Sequence, residues 1–186
     1  MASFRFDPTE IPDVVRVRVP RFRDSRGSFG ELFRSTEFRN AGIPTDFVQD
    51  NLAVSERGVL RGLHFQLPPS SQGKLVAPVE GRIFDVAVDL RRLSPTFRQW
   101  VGVELDAQEL ELLWVPPGFA HGYQVLSDRA HVLYKATAEY DPEREDGIRW
   151  NDPALGIRWP LPDPVTSAKD QALPTLAEIT LPDGPW

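Results

Sequence analysis

The chain contains no cysteine, a single methionine and only three histidines. Without cysteine, disulfides, thiolate nucleophiles and sulfur-ligated metal centres are excluded, and any metal site would have to be built from histidine and carboxylates. Three imidazoles leave little material for one. Long apolar runs are also missing: no stretch approaches the roughly 18 residues of a membrane-spanning helix, and "MASFRFDPTE" lacks the apolar centre of a secretory leader. The expectation is a cytoplasmic protein with no membrane contact. Positive charge is not in excess either. A formal net charge of −6 argues against a nucleic-acid partner, because phosphate-binding surfaces present a basic excess. The 21 lysines and arginines still suffice for a local site for a small anion.

A chain of 186 residues fits one domain, 1–186, with a sizeable core. Its 18 prolines and 13 glycines are scattered and cut it into short elements. Between these breaks lie "VVRVRVP", "GSFGELFR", "FVQDNLAVS", "KLVAPVEGRIFDVAVDL", "QWVGVELD", "ELLWVPPG", "GYQVLSD" and "AHVLYKATAEY". Each is rich in β-branched and aromatic residues, and the spacing predicts an all-β sandwich or barrel. Strict alternation in "RVRV" predicts one solvated face there. Helix is expected only in "STEFRNAG", with Ser35 or Thr36 as N-cap, and as a short turn near "TSAKDQAL". From residue 160 onward the chain is proline-rich and aperiodic. Its Leu, Ile and Trp residues predict a tail docked over the domain.

One histidine, His64, sits in the strand-like "GVLRGLHFQ". Three readings are open: a packed side chain with a hydrogen-bond partner, a metal ligand, or a base. The paired-histidine pattern of β-barrel metal sites fails, because the same-faced neighbours two residues away are Gly62 and Gln66. Arg61, His64, Gln66, Gln72 and Lys74 fall close together, and all but Gln72 occupy positions that strand alternation could turn toward one cavity. An inward Arg61 needs an anionic partner, either a protein carboxylate or a ligand. "DSRG" is a turn, where Arg26 would ordinarily be solvated. Gln49 and Asn51, two apart, share a strand face. Tyr134 and Tyr140, six apart, share one too if their strand is regular, with proton donation, ring stacking or plain core packing as their possible uses.

Taken in order, "DSRGSFGELF", "VQDNLAVSERGVLRGLHFQLPPSSQGKLV", "GRIFDVAVDLRRLSPTFRQWVGVEL", "WVPPGFAHGYQVLSD", "YKATAEYDPEREDGIRWNDPALGIRWP" and "SAKDQALP" closely resemble the dTDP-4-dehydrorhamnose 3,5-epimerase family. The resemblance implies a cupin-type jelly-roll barrel with a few short helices and an irregular C-terminal tail. It also implies a homodimer that uses no metal or cofactor and acts on a dTDP-sugar, dTDP-4-dehydro-6-deoxy-glucose, at carbons 3 and 5. The ketone at carbon 4 acidifies both hydrogens, because the carbanion delocalises as an enolate. The reaction then needs a base, an acid on the opposite face and a group to hold the enolate charge.

By resemblance His64 is that base, Asp170 its partner, Tyr134 the acid and Lys74 the cation near the carbonyl oxygen. Arg26 and Arg61 would contact the diphosphate, and Glu31, Gln49 and Asn51 the nucleotide and sugar hydroxyls. Tyr140 would stack on thymine, and His121 falls where the family keeps a histidine in the site. The alternative within the same scaffold is a single-site 3- or 5-epimerase of another deoxysugar pathway. The chain departs from its relatives at Ala77 and Pro78, where larger residues are frequent, and at Tyr123 and Gln124, where Phe and an apolar residue are more usual. Pro78 predicts an edge strand or a bulge.

Overall fold

The structure is a computed structural model that describes residues 3–186. Its elements run β1 (Arg5–Pro8), β2 (Val15–Arg18), β3 (Arg21–Asp24), β4 (Gly27–Gly30), α1 (Ser35–Asn40), β5 (Gln49–Glu56), β6 (Leu60–Gln66), β7 (Lys74–Glu80), β8 (Arg82–Asp89), β9 (Trp100–Asp106), β10 (Glu111–Val115), β11 (Phe119–Val125), β12 (Arg129–Ala136), β13 (Glu145–Gly147) and α2 (Ala168–Gln171). A six-stranded sheet is ordered β1-β2-β10-β7-β12-β5 and a five-stranded sheet β13-β6-β11-β8-β9, with β3-β4 a separate hairpin. The strand pairings are antiparallel. The all-β jelly roll with few short helices is thus present.

The side-chain period of two explains how the sheets are buried. Val76, Ile83, Ala87, Leu113, Val115, Phe119 and Val132 pack between the sheets. The residues one step away serve a second layer on each outer face. Leu75, Ala77, Leu112 and Trp114 meet Phe38 of α1 outside the six-stranded sheet. Leu63, Phe65, Val86 and Val88 meet Leu155, Leu176, Leu181 and Trp186 of the tail outside the five-stranded sheet. Strands buried on both faces read as continuous apolar runs, which is why "IFDVAVDL" does not alternate. The docked tail is as predicted, and Trp186 reaches the back of β6, edge-on to Phe65 at 5.8 Å.

Three local expectations need correction, and a fourth, at Pro78, holds. The N-cap of α1 is Arg34, with no side-chain cap, so neither Ser35 nor Thr36 holds that position. Arg16 and Arg18 are not simply solvated, because both bond the buried carboxylate of Glu111, at 2.6 and 3.3 Å. Of the two settings expected for Pro78 the bulge is the one found: the residue lies in a central strand, at a register shift between His131 and Val132 that accommodates its missing donor. Tyr140 lies beyond the end of β12, so the shared strand face with Tyr134 does not apply.

A second bulge matters more. On β11, His121 pairs with His64 and Tyr123 pairs with Arg61, so two steps on one strand oppose three on the other. The alternation expected to turn Arg61 and His64 toward one cavity does not do so, because residues three apart face opposite sides of a strand; the extra residue turns both to one. Gly62 makes this possible. Its φ is +123°, and a Cβ there would lie 2.6 Å from the Cα of Gly122 and 2.8 Å from the carbonyl oxygen of His121, both backbone atoms that cannot move aside. Gly62→Ala is expected to destabilise the protein by more than about 2 kcal/mol, read as a lower urea midpoint; an unchanged midpoint would show that the strands separate at little cost.

Candidate active site

Between the open ends of the two sheets lies a cavity of about 540 Å³. The five-stranded sheet contributes Arg61 and His64 from β6 and His121 and Tyr123 from β11. The six-stranded sheet contributes Lys74 from β7 and Tyr134 from β12, and the tail closes one wall with Lys169 and Asp170 of α2. A smaller space of about 230 Å³ adjoins it through His64, Lys74 and Tyr134 and adds Gln49, Asn51, Tyr140 and Glu145. Nine of the eleven candidate site residues therefore meet in one cleft.

His64 Nε2 lies 2.7 Å from Asp170 Oδ1. Asp170 is held in place by Ser167, which caps α2 by accepting from the Asp170 amide at 3.0 Å. Burial pushes the Asp170 carboxyl up, but the hydrogen bond and charge of His64, with help from Ser167 and the Gly62 backbone, outweigh it and hold it below the ordinary value. The carboxylate is the acceptor, so the imidazole donates from Nε2 and keeps its lone pair on Nδ1. Beside it, His121 Nε2 makes the same contact with the fully buried Asp85, Oδ1 at 2.5 Å. Asp85 is a site residue that "IFDVAVDL" concealed among apolar neighbours.

Lys74 has no carboxylate within ion-pair distance among the described residues. Burial pushes its ammonium down to about 8, against the more distant pull of Glu145 and Asp85. Burial likewise raises the Tyr134 phenol, with Arg61 opposing and Glu145 adding to the rise. A tyrosine raised in this way stays protonated and can act as an acid. Arg61 places Nε 3.0 Å from Ser55 Oγ and pairs with no carboxylate among the described residues. Of the two partners foreseen for it, the protein supplies none, and the guanidinium faces a cavity with its remaining donors.

At the outer end Gln49 donates to Asn51 at 3.0 Å and accepts from the Tyr140 amide at 2.7 Å. The Tyr140 hydroxyl donates to Glu145 Oε2 at 2.6 Å, and Lys169 reaches the same oxygen at 2.5 Å. Glu145 and Lys169 were missed by sequence reasoning. The signal for Lys169 was its adjacency to Asp170, whereas Glu145 acquires its place only because β13 pairs with β6. Gln66 is buried and its amide is satisfied by backbone groups of Ser70, Glu139 and Asp141, a structural role. Arg26 and Glu31 stand apart: they lie on and just after the β3-β4 hairpin, bonded to Asp24 and Arg34 respectively.

Residues 8–178 match the model of the family described as dTDP-4-dehydrorhamnose 3,5-epimerase. A protein of that name from Shigella flexneri is 52% identical over 87% of this chain and 90% of its own length. Among solved structures, the dTDP-6-deoxy-D-glucose-3,5-epimerase RmlC of Legionella pneumophila, in complex with dTDP-4-keto-L-rhamnose, superposes with a TM-score of 0.92 at 44% identity, covering 96% of this chain and 95% of that one. ChmJ of Streptomyces bikiniensis, a 3'-monoepimerase in complex with dTDP-quinovose, superposes with a TM-score of 0.86 at 37% identity, covering 91% and 87%.

Asp170 sets the sign of one pH effect. A carboxyl held below its ordinary value stabilises the fold fully above about pH 4, and that contribution is lost as pH falls through the lower folded-state value. Wild type is expected to be more stable than Asp170→Asn at neutral pH in urea unfolding, with the gap closing in acid. A gap that stays constant down to about pH 2 would show that the charge contributes nothing.

Proposed function

This chain belongs to the dTDP-4-dehydrorhamnose 3,5-epimerase family, and from that premise we propose that it converts dTDP-4-dehydro-6-deoxy-glucose to dTDP-4-dehydro-L-rhamnose in the cytoplasm by way of an enolate. The observation that carries this reading is the placement of His64, paired with Asp170 of the tail, on one sheet and Tyr134 with Lys74 on the other, around one cavity. A sugar ring between the sheets meets a base on one face and an acid on the other.

His64 Nδ1 takes the proton from carbon 3 or carbon 5. The electron pair moves onto the carbon 4 oxygen, and Asp170 stabilises the imidazolium that forms. The Lys74 ammonium holds the negative oxygen, a charge-assisted contact strengthened by the dry setting that also lowers its pKa. Tyr134 then delivers a proton from the opposite face, which inverts the carbon. Arg61 binds a diphosphate oxygen through donors the protein leaves unpaired, and Tyr140, fixed by Glu145 and Gln49, stacks on thymine.

Arg26 and Glu31 lie outside the cleft of their own chain, and a homodimer gives them a use. The hairpin carries exposed Phe22 and Phe29, and the terminal strand β5 exposes Leu52 and Val54. An apolar sheet edge of this kind is a ready pairing surface. A partner seated there brings the hairpin of one copy toward the cleft of the other.

The test is proton NMR in deuterated water with chelator-treated protein and dTDP-4-dehydro-6-deoxy-glucose. Loss of the signals at both carbons is the expected result; loss at carbon 3 alone would make the chain a single-site enzyme, and no exchange would overturn the reading. His64→Asn is expected to slow exchange by at least about 100-fold while still binding dTDP. The Lys74 charge sets an alkaline limit: because the ammonium titrates near 8, kcat/KM is expected to fall as pH rises through that value, and Lys74→Arg should shift the fall upward. A limb that does not move with this substitution belongs to another group.

A further inference from the structure

Tyr123 carries a hydroxyl that the reaction proposed above does not use. It projects from β11 on the same side as His121, two residues earlier, with the two rings 6.5 Å apart, and it forms part of the cavity wall. The residue is 3% exposed, and the hydroxyl itself is buried without a hydrogen-bond partner. A phenol in that position forfeits its hydrogen bonds to water and regains none, a cost that phenylalanine would not carry.

Its surroundings indicate what would satisfy it. Arg61 is its pairing partner on β6, and the phenol lies within the field of that guanidinium with a weak contact to Ser55 that lowers its pKa but falls outside hydrogen-bond geometry; the Ser55 Oγ accepts from Arg61 Nε. On the other side, Asp85 pairs with Tyr123 across β8, yet Asp85 Oδ2 is itself without a partner, so the phenol is not turned to that carboxylate. No acceptor among the described residues meets the phenol in hydrogen-bond geometry, and one that arrives with a ligand drawn to Arg61 would supply it.

We propose that Tyr123 is a binding residue that donates a hydrogen bond to the substrate oxygen held by Arg61. The inference rests on the epimerase reading of the cleft. Two substrate groups offer the required acceptor, a diphosphate oxygen or a sugar hydroxyl beside it. Either contact uses a donor that is already desolvated and positioned, so its loss is felt in binding of the substrate rather than in the fold.

The experiment compares wild type with Tyr123→Phe in three measurements: calorimetric binding of dTDP, kcat/KM for dTDP-4-dehydro-6-deoxy-glucose, and thermal midpoint. A fall in kcat/KM of roughly 10- to 100-fold, carried by KM, with the midpoint unchanged or raised, is the expected result. If dTDP affinity falls by the same factor, the acceptor is a diphosphate oxygen; if dTDP binds as before, it is a sugar hydroxyl. Turnover and binding equal to wild type would overturn the proposal, as would a lowered midpoint with unchanged KM, which would make the hydroxyl structural. A wild-type protein that neither binds dTDP nor turns over the sugar would instead defeat the epimerase reading, and the proposal would fall with it.

Discussion

The hydrogen bond from His64 to Asp170 joins residues 106 apart in sequence, one on the second strand of the five-stranded sheet and the other on a single helical turn in the tail. For that bond to exist, the proline-rich segment after residue 150 must lie in one place. The outer face of the five-stranded sheet supplies the means. Leu155, Leu176, Leu181 and Trp186 cover Leu63, Phe65, Val86 and Val88, and the buried carboxylate of Asp152 accepts from the backbone of Ala154 and Leu176. Apolar burial, worth about 25 cal/mol per Å², thus serves the chemistry by delivering a carboxylate to a base.

The polar groups of the cleft are arranged so that each cationic or basic group has a different degree of compensation. His64 and His121 each face a dedicated carboxylate. Lys169 shares Glu145 with Tyr140. Lys74 and Arg61 have none among the described residues, and they lie where the proposed substrate carries its developing and permanent negative charges. Burial lowers the Lys74 pKa to about 8 despite the pull of Glu145 and Asp85, a sign that the protein does not fully stabilise that charge. An anionic ligand completes what the fold leaves open.

Much of this was legible in the chain itself, for physical reasons. The absence of cysteine, the scattered glycines and prolines and the β-branched runs specify short strands, and the quoted motifs carry the family and nine residues of the cleft. What misled was local. The alternation of "RVRV" shows which residues share a face but not that Glu111 waits opposite the arginines, and no capping rule identifies Arg34. Tyr134 and Tyr140 meet in one cleft despite the strand ending between them, because the chain turns back rather than continuing.

By itself the sequence determined the strand-rich class, the docking of an apolar tail and the identity of the chemical groups, since these depend on residue type and spacing. Only the tertiary structure decided how those groups meet. The bulge at Gly62 turns Arg61 and His64 to the same side, the pairing of β13 with β6 brings Glu145 to the rim, and the buried face of β8 sets Asp85 against His121. Each is a long-range contact between strands distant in the chain, and side-chain direction there follows from register and backbone approach, which no local pattern encodes.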